Sequence, residues 1–204
     1  MLEWFKSGGI MMYPLLLSSI MALAIIIDRF ICLRRKKILI PEIVNLVEHF
    51  LSKSDIDLAR SICAKYKGPL PNLIRLALEN SSLDREEIKE LLEDQGRQEI
   101  RALEKGLSLL ETTAVVSPLF GFLGTVLGME KVFNVIKELG VGQAAALSGG
   151  IAEALITTIA GLFIGVPALI FYNYFTSKAE NYVLDIEKYS NYLIQKIFHL
   201  RNKP

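Results

Sequence analysis

Four polar side chains set in apolar surroundings are where this sequence could do chemistry. Glu153 is the one charge in the stretch from Gly150 to Phe175, which Lys178 closes. A carboxylate inside such a stretch is costly in lipid and marks an ion path or a partner contact. The competing reading is that it reaches back to the nearby interface, because it sits one turn inside the end of its run. Thr157 follows on the same helical face, one turn deeper. Thr125 and Thr158 stand in two different apolar runs. At 1.5 Å per residue, Thr125 is about 20 Å in from one end of its run and Thr158 about 12 Å in from the opposite end of its own. Antiparallel helices would bring the two hydroxyls to a similar depth. A hydroxyl can orient water or a carboxylate without becoming charged, although a lone Thr in a membrane helix ordinarily bonds back to its own backbone. No carboxylate stands at mid-run depth. A proton relay through these residues therefore needs one from a partner.

The same two runs carry stripes of mostly small residues. Pro118, Gly121, Thr125, Gly128 and Val132 recur at steps of three and four, and so do Ala154, Thr158, Gly161, Gly165 and Ala168. Gly124 with Gly128, and Gly161 with Gly165, form small-xxx-small pairs, the pattern that lets membrane helices approach closely. The plain alternative is that these glycines serve packing alone. Pro118 and Pro167 are expected kinks, and Pro167 would free the carbonyl of Phe163.

The rest of the sequence offers little else. Cys32 and Cys63 have no CxxC spacing, and His49 and His199 stand apart without metal-ligand neighbours. There is no GxSxG, no P-loop and no dinucleotide fingerprint. The expectation is a protein that is not an enzyme and has no cofactor or metal. Its net charge of +1 gives no support for nucleic-acid binding.

Three long apolar runs position these residues. The first, Gly8 to Ile27, is 20 residues without a charge. That is about 30 Å of helix, the thickness of the hydrocarbon core. One lysine, Lys6, precedes it, while Asp28, Arg29, Arg34, Arg35, Lys36 and Lys37 follow it, and no small-x-small cleavage site closes it. It reads as a retained anchor rather than a signal peptide. The second run spans Thr112 to Val135 and is uncharged for its first 18 residues, with Glu130 and Lys131 as a possible pair near its far end. The third spans Gly150 to Phe175, with Tyr172, Tyr174 and Phe175 as an interfacial belt. Basic residues stay in the cytoplasm. The expected order is therefore a first transmembrane helix with a short external N-terminus (1–33), a cytoplasmic helical region (34–111), a second transmembrane helix (112–135), an external loop (136–149), a third transmembrane helix (150–175) and a cytoplasmic C-terminal helix (176–204).

The cytoplasmic residues read as helical throughout. Ile43, Leu46, Val47, Phe50 and Leu51 recur at helical spacing after Pro41; Asp55 and Ser82 are candidate caps; Gly68 and Pro69 are breakers. Gly96 and Gly106 weaken the last helix without having to end it. The simplest reading is one helix from Asp84 to Val135, about 78 Å long. The tail repeats Tyr182, Ile186, Tyr189, Leu193 and Ile197 and extends the third span in the same way. The fold class is all-α: an integral membrane protein with three transmembrane helices, two extended into the cytoplasm, plus a small helical cluster.

The segments SPLFGFLGTVLGM (117–129), GGIAEALITTIAGLFIGVPALIFYN (149–173) and GGIMMYPLLLSSIMALAIIIDRF (8–30) resemble the ExbB/TolQ family of inner-membrane proton-channel subunits, ExbB most of all, and more distantly the flagellar stator protein MotA. The first span commonly ends in Glu-Arg in that family; here it ends in Asp28-Arg29. The resemblance implies a homo-oligomeric ring, typically a pentamer, whose second and third spans line a pore. It also implies a single-span ExbD/TolR-like partner in that pore, whose intramembrane Asp is the main proton carrier. Thr125 and Thr158 would be the pore threonines and Glu153 the third-span glutamate. The complex would lie in the bacterial inner membrane and drive a TonB-like or TolA-like protein. Within the resemblance the leading role is TonB-dependent outer-membrane transport, with a TolQ-like subunit of the Tol-Pal system as the alternative; two rival readings from other classes are a non-conducting membrane scaffold and a secondary transporter. The absence of an inverted repeat counts against the second.

Overall fold

The computed structural model describes residues 5, 7–49, 55–140 and 144–201. Phe50, Leu51, Lys6 and part of the expected 136–149 loop lie outside them. Among the described residues there are helices and no strands, running α1 (Met12–Cys32), α2 (Arg35–Ile38), α3 (Pro41–Glu48), α4 (Asp55–Lys65), α5 (Pro69–Glu79), α6 (Arg85–Glu104), α7 (Leu107–Leu139) and α8 (Ala144–Arg201). Three stretches are long and apolar enough to cross a membrane: α1, the run Arg85–Glu138 and the run Leu147–Arg201. The protein is thus an all-α, multi-pass membrane protein.

The chain divides into two compact units, one of Met1–Asp28 with Gly106–Tyr174 and one of Arg29–Lys105 with Phe175–Pro204. The first unit holds most of α1, all of α7 and the first part of α8. Its outward surface is apolar: Leu17, Ile20, Leu23, Leu119, Phe122, Ile159, Phe163 and Ile170 are all exposed. In water such a surface would be an aggregation site, whereas in lipid it is the solvated face.

The second unit has an ordinary buried core. Pro41 and Pro69 open α3 and α5 at the first helical turn, where a missing N–H is harmless. Ile43, Val47, Leu70, Leu73, Ile74, Ala77, Leu78 and Ile88 are buried, joined from the tail by Phe175, Tyr182, Ile186, Leu193 and Ile197. Phe30 meets Phe175 edge-on at 5.0 Å between ring centres, and the Tyr182 hydroxyl donates to the Leu33 carbonyl at 3.2 Å. The cap of α6 is Asp84, not Ser82. Its side chain accepts from the backbone of Glu87, and the Glu87 carboxylate accepts the Asp84 N–H at 3.2 Å.

The expected unbroken helix from Asp84 to Val135 is interrupted. α6 ends at Glu104 and α7 begins at Leu107, with Gly106 at φ 81° between them. That left-handed conformation closes a helix and suits glycine, which has no Cβ to clash. Gly96 causes no break; it lies inside α6 with open space around it. The tail, by contrast, is one helix with the third span: α8 runs 58 residues from Ala144 to Arg201, through Pro167. α7 likewise continues through Pro118.

Candidate functional site

In the first unit α7 and α8 run antiparallel and touch backbone to backbone. A Cβ placed on Gly121 would lie 2.9 Å from the Thr157 carbonyl and 3.3 Å from Gly161 Cα. One on Gly161 would lie 2.6 Å from the Ser117 carbonyl, and one on Gly128 would lie 2.8 Å from the Gly150 carbonyl. At Gly124 the missing side chain leaves its place to Thr157. Gly165 admits the Pro118 ring and the Ala114 carbonyl, 2.6 and 2.9 Å from where its own Cβ would be. Ala114 is the residue four before Pro118, so its carbonyl has no helical N–H to accept. Side chains larger than hydrogen cannot occupy these positions without moving backbone.

The contact stripes differ from the sequence pattern by one residue in places. On α7 the covered residues are Ala114, Ser117, Gly121, Gly124, Gly128 and Val132. Pro118 and Thr125 flank them and are half-buried. On α8 they are Ala154, Thr157, Gly161, Gly165 and Ala168, with Thr158 beside them and half-buried. Thr157 and Thr158, and likewise Gly124 and Thr125, both fit a three-or-four spacing, and only the partner helix decides which member faces it.

The hydroxyls therefore have different tasks. Thr157 is fully buried and donates to the carbonyl of Ala154 at 2.9 Å on its own helix. Ser117 donates to Thr113 at 2.7 Å in the same way. Thr158 instead crosses to the Gly121 carbonyl of α7 at 3.2 Å. In a regular helix that carbonyl also accepts the N–H of Thr125. Thr158 and the backbone N–H of Thr125 thereby share one acceptor. Thr125 bonds back to Phe122 at 2.6 Å. Its open face belongs to a shallow depression with Met129, Glu130, Phe133 and Asn134.

Glu153 is held by Lys131. The lysine ammonium donates to both carboxylate oxygens, at 2.5 and 2.7 Å. The Glu153 side chain is 18% exposed, against 57% for Lys131. The Glu130–Lys131 pairing considered from the sequence gives way to this one, because adjacent helical residues do not face each other. Nothing in the linear sequence links positions 131 and 153. The signal that could have found the pair was that each is a charge near the end of its apolar run that faces the α7–α8 connection. Among the described residues, no cluster of His, Cys, Asp or Glu is placed to hold a metal ion.

These features define a class: a multi-pass membrane protein in which two spans associate through glycine faces and carry hydroxyls in the contact. The chain belongs to the MotA/TolQ/ExbB proton channel family, whose pattern matches residues 65–188. It is 30% identical over 188 residues to a putative biopolymer transport protein ExbB homolog of Methanothermobacter thermautotrophicus, covering 91% of this chain and 66% of the relative. It is 31% identical over 191 residues to an ExbB-like protein of Synechocystis, covering 84% of this chain and 82% of the relative. Similarity to the Tol-Pal system protein TolQ of Pseudomonas aeruginosa is higher but local, 41% over 78 residues, or 38% of this chain and 34% of the relative.

Proposed function

We propose that this protein is the ring-forming subunit of an inner-membrane proton channel, ExbB-like, that couples the proton motive force to a TonB-like protein and through it to outer-membrane transport. The observation that carries the reading is the Thr158–Gly121–Thr125 link. It sets the Thr158 hydroxyl against the α7 backbone one turn from Thr125, and the carboxylate that shares the Thr125 depression, Glu130, lies about a further turn and a half along α7. Such hydroxyls serve a carboxylate that another protein supplies. A single-span ExbD/TolR-like partner with one intramembrane Asp fits that need. The ring is a homo-oligomer, five copies by the family resemblance, surrounded by membrane lipid. The basic cluster Arg34–Lys37 supports a cytoplasmic side for the residues that follow the first span and a periplasmic N-terminus. One proton crossing 100 mV releases about 2.3 kcal/mol, so mechanical work needs several protons or small steps.

ExbB homologs and ExbB-like relatives align over most of the chain, whereas the ExbB of Aquifex aeolicus and the TolQ of Pseudomonas aeruginosa align over 43% and 38% of it. The TonB-linked assignment is our reading because ExbB is the name that most of these relatives carry. The test is proton flux in liposomes holding the chain with its single-span partner. Wild-type should conduct only with the partner present. Thr125→Val and Thr158→Val should fall to the partner-free level with the complex still assembled. Full flux in both variants would remove their role, and a wild-type complex that never conducts would leave the scaffold reading in its place.

A further inference from the structure

The carboxylate of Glu153 is covered from a second side, by a segment outside the two packed spans. Gly9 precedes α1 and has φ 67°, in the left-handed region. A Cβ built there would collide with the Glu153 carboxylate. The backbone of Gly9 therefore lies against that carboxylate, at a distance no side chain would permit. One residue earlier, a Cβ on Gly8 would lie 3.2 Å from Ile156 Cγ2, one helical turn from Glu153 on α8. All three spans of the first unit thus converge on one side chain: the entrance to α1 through Gly9, α7 through Lys131, and α8 through Glu153 itself.

The geometry points to a cap. The Gly8–Gly9 turn and Lys131 are positioning residues that hold the Glu153 carboxylate closed at the outer end of α8. Glycine is required at position 9 for two separate reasons. The turn needs positive φ, which costs other residues about 1–2 kcal/mol, or roughly ten-fold in a population. The carboxylate also needs the space. Gly140 has only the first requirement, since its φ is 75° and nothing lies within 4 Å. Lys131 supplies charge to a carboxylate that would otherwise sit in apolar surroundings. The purpose of the cap rests on the proton-channel reading: closed, it keeps Glu153 out of exchange with outer water, and lifting the turn admits protons there. The cap itself does not depend on that reading.

Two measurements test it on the full chain in liposomes. The first is the rate at which a carbodiimide labels Glu153, read by peptide mass spectrometry against exposed Glu130 as an internal reference. The carbodiimide is a water-soluble one, so that labelling reads access from the aqueous side, and in the wild-type chain Glu153 should label well below Glu130. Gly9→Ala and Lys131→Met should each raise the Glu153 rate about ten-fold. Lys131→Arg and Gly140→Ala should keep the wild-type rate. The second is a Gly8→Cys/Ile156→Cys pair in a Cys32→Ser/Cys63→Ala background, which should form a disulfide under mild oxidation. This reports on the turn even if Gly9→Ala folds poorly. Labelling of wild-type Glu153 as fast as Glu130, a Gly9→Ala rate equal to that of Gly140→Ala, or no cross-link, would each overturn the cap. Neither measurement involves flux, so a wild-type complex that fails to conduct removes the channel reading and leaves the cap to be decided by labelling.

Discussion

Arg29 is 4% exposed, an unusual position for a guanidinium. It donates to the carbonyls of Leu103 at 3.1 Å and Ala102 at 3.4 Å. Those are among the last carbonyls of α6, which lose their helical partners because the chain breaks at Gly106. A cation at this end also complements the helix dipole. Arg29 and Gly106 therefore belong to one device: the glycine opens the helix and the arginine satisfies what is opened. From the sequence, Arg29 was only one of several basic residues after the first span. Arg29→Met should destabilise the folded chain by about 1–3 kcal/mol, since it leaves buried acceptors without donors. Thermal unfolding in detergent would show the loss, and an unchanged midpoint would mean that water replaces the guanidinium at no cost. Glu153 and Lys131 teach the same lesson. A charge inside an apolar run signals that a partner exists, but the partner's identity is a matter of helix register.

Among the elements, the α7–α8 pair is the one on which the proposed channel depends. The two helices meet through hydrogen where most helices meet through side chains, so their separation is set by backbone contact. In lipid there is no hydrophobic drive to hold helices together, and close packing takes its place. Gly161 shows how little room there is: its Cβ would meet the Ser117 carbonyl and Gly121 Cα at 2.6 and 3.0 Å. Gly161→Leu should separate the two helices, break the Thr158–Gly121 hydrogen bond and abolish partner-dependent flux. A cysteine pair at Gly128 and Ala154, further along the same contact, would read the separation as a loss of cross-linking. Retained cross-linking and flux would show that the contact tolerates a large side chain. The small-residue stripes were legible as stripes. Their exact facing was not, because Thr157 and Thr158, or Gly124 and Thr125, satisfy the same spacing from opposite sides of a neighbour. The break after α6 was equally open: Gly96 and Gly106 look alike in the sequence, and only Gly106 takes a left-handed φ.

The outward surface of the first unit is apolar, with Leu17, Leu119, Phe122, Phe163 and Ile170 exposed. In the proposed ring part of that surface faces neighbouring copies. Native mass spectrometry of the chain extracted in mild detergent should give a closed homo-oligomer, five copies by the family resemblance. A strictly monomeric species that still supports partner-dependent flux would remove the ring from the proposal.

The three spans, the all-helical class and the family were determined by the sequence alone, because hydrophobic length and the spacing of small residues are local properties that any helix expresses without help. The hydroxyls and the intramembrane carboxylate were visible for the same reason: each stands out against its own run. The tertiary structure decided what each of them touches. It turned Thr158 toward Gly121, paired Glu153 with Lys131, laid Gly9 on that carboxylate and set Arg29 against the carbonyls of Ala102 and Leu103 at the end of α6. Each of these outcomes depends on which residues of distant segments come within about 3 Å of one another, the reach of a hydrogen bond. Spacing along one helix carries no record of that.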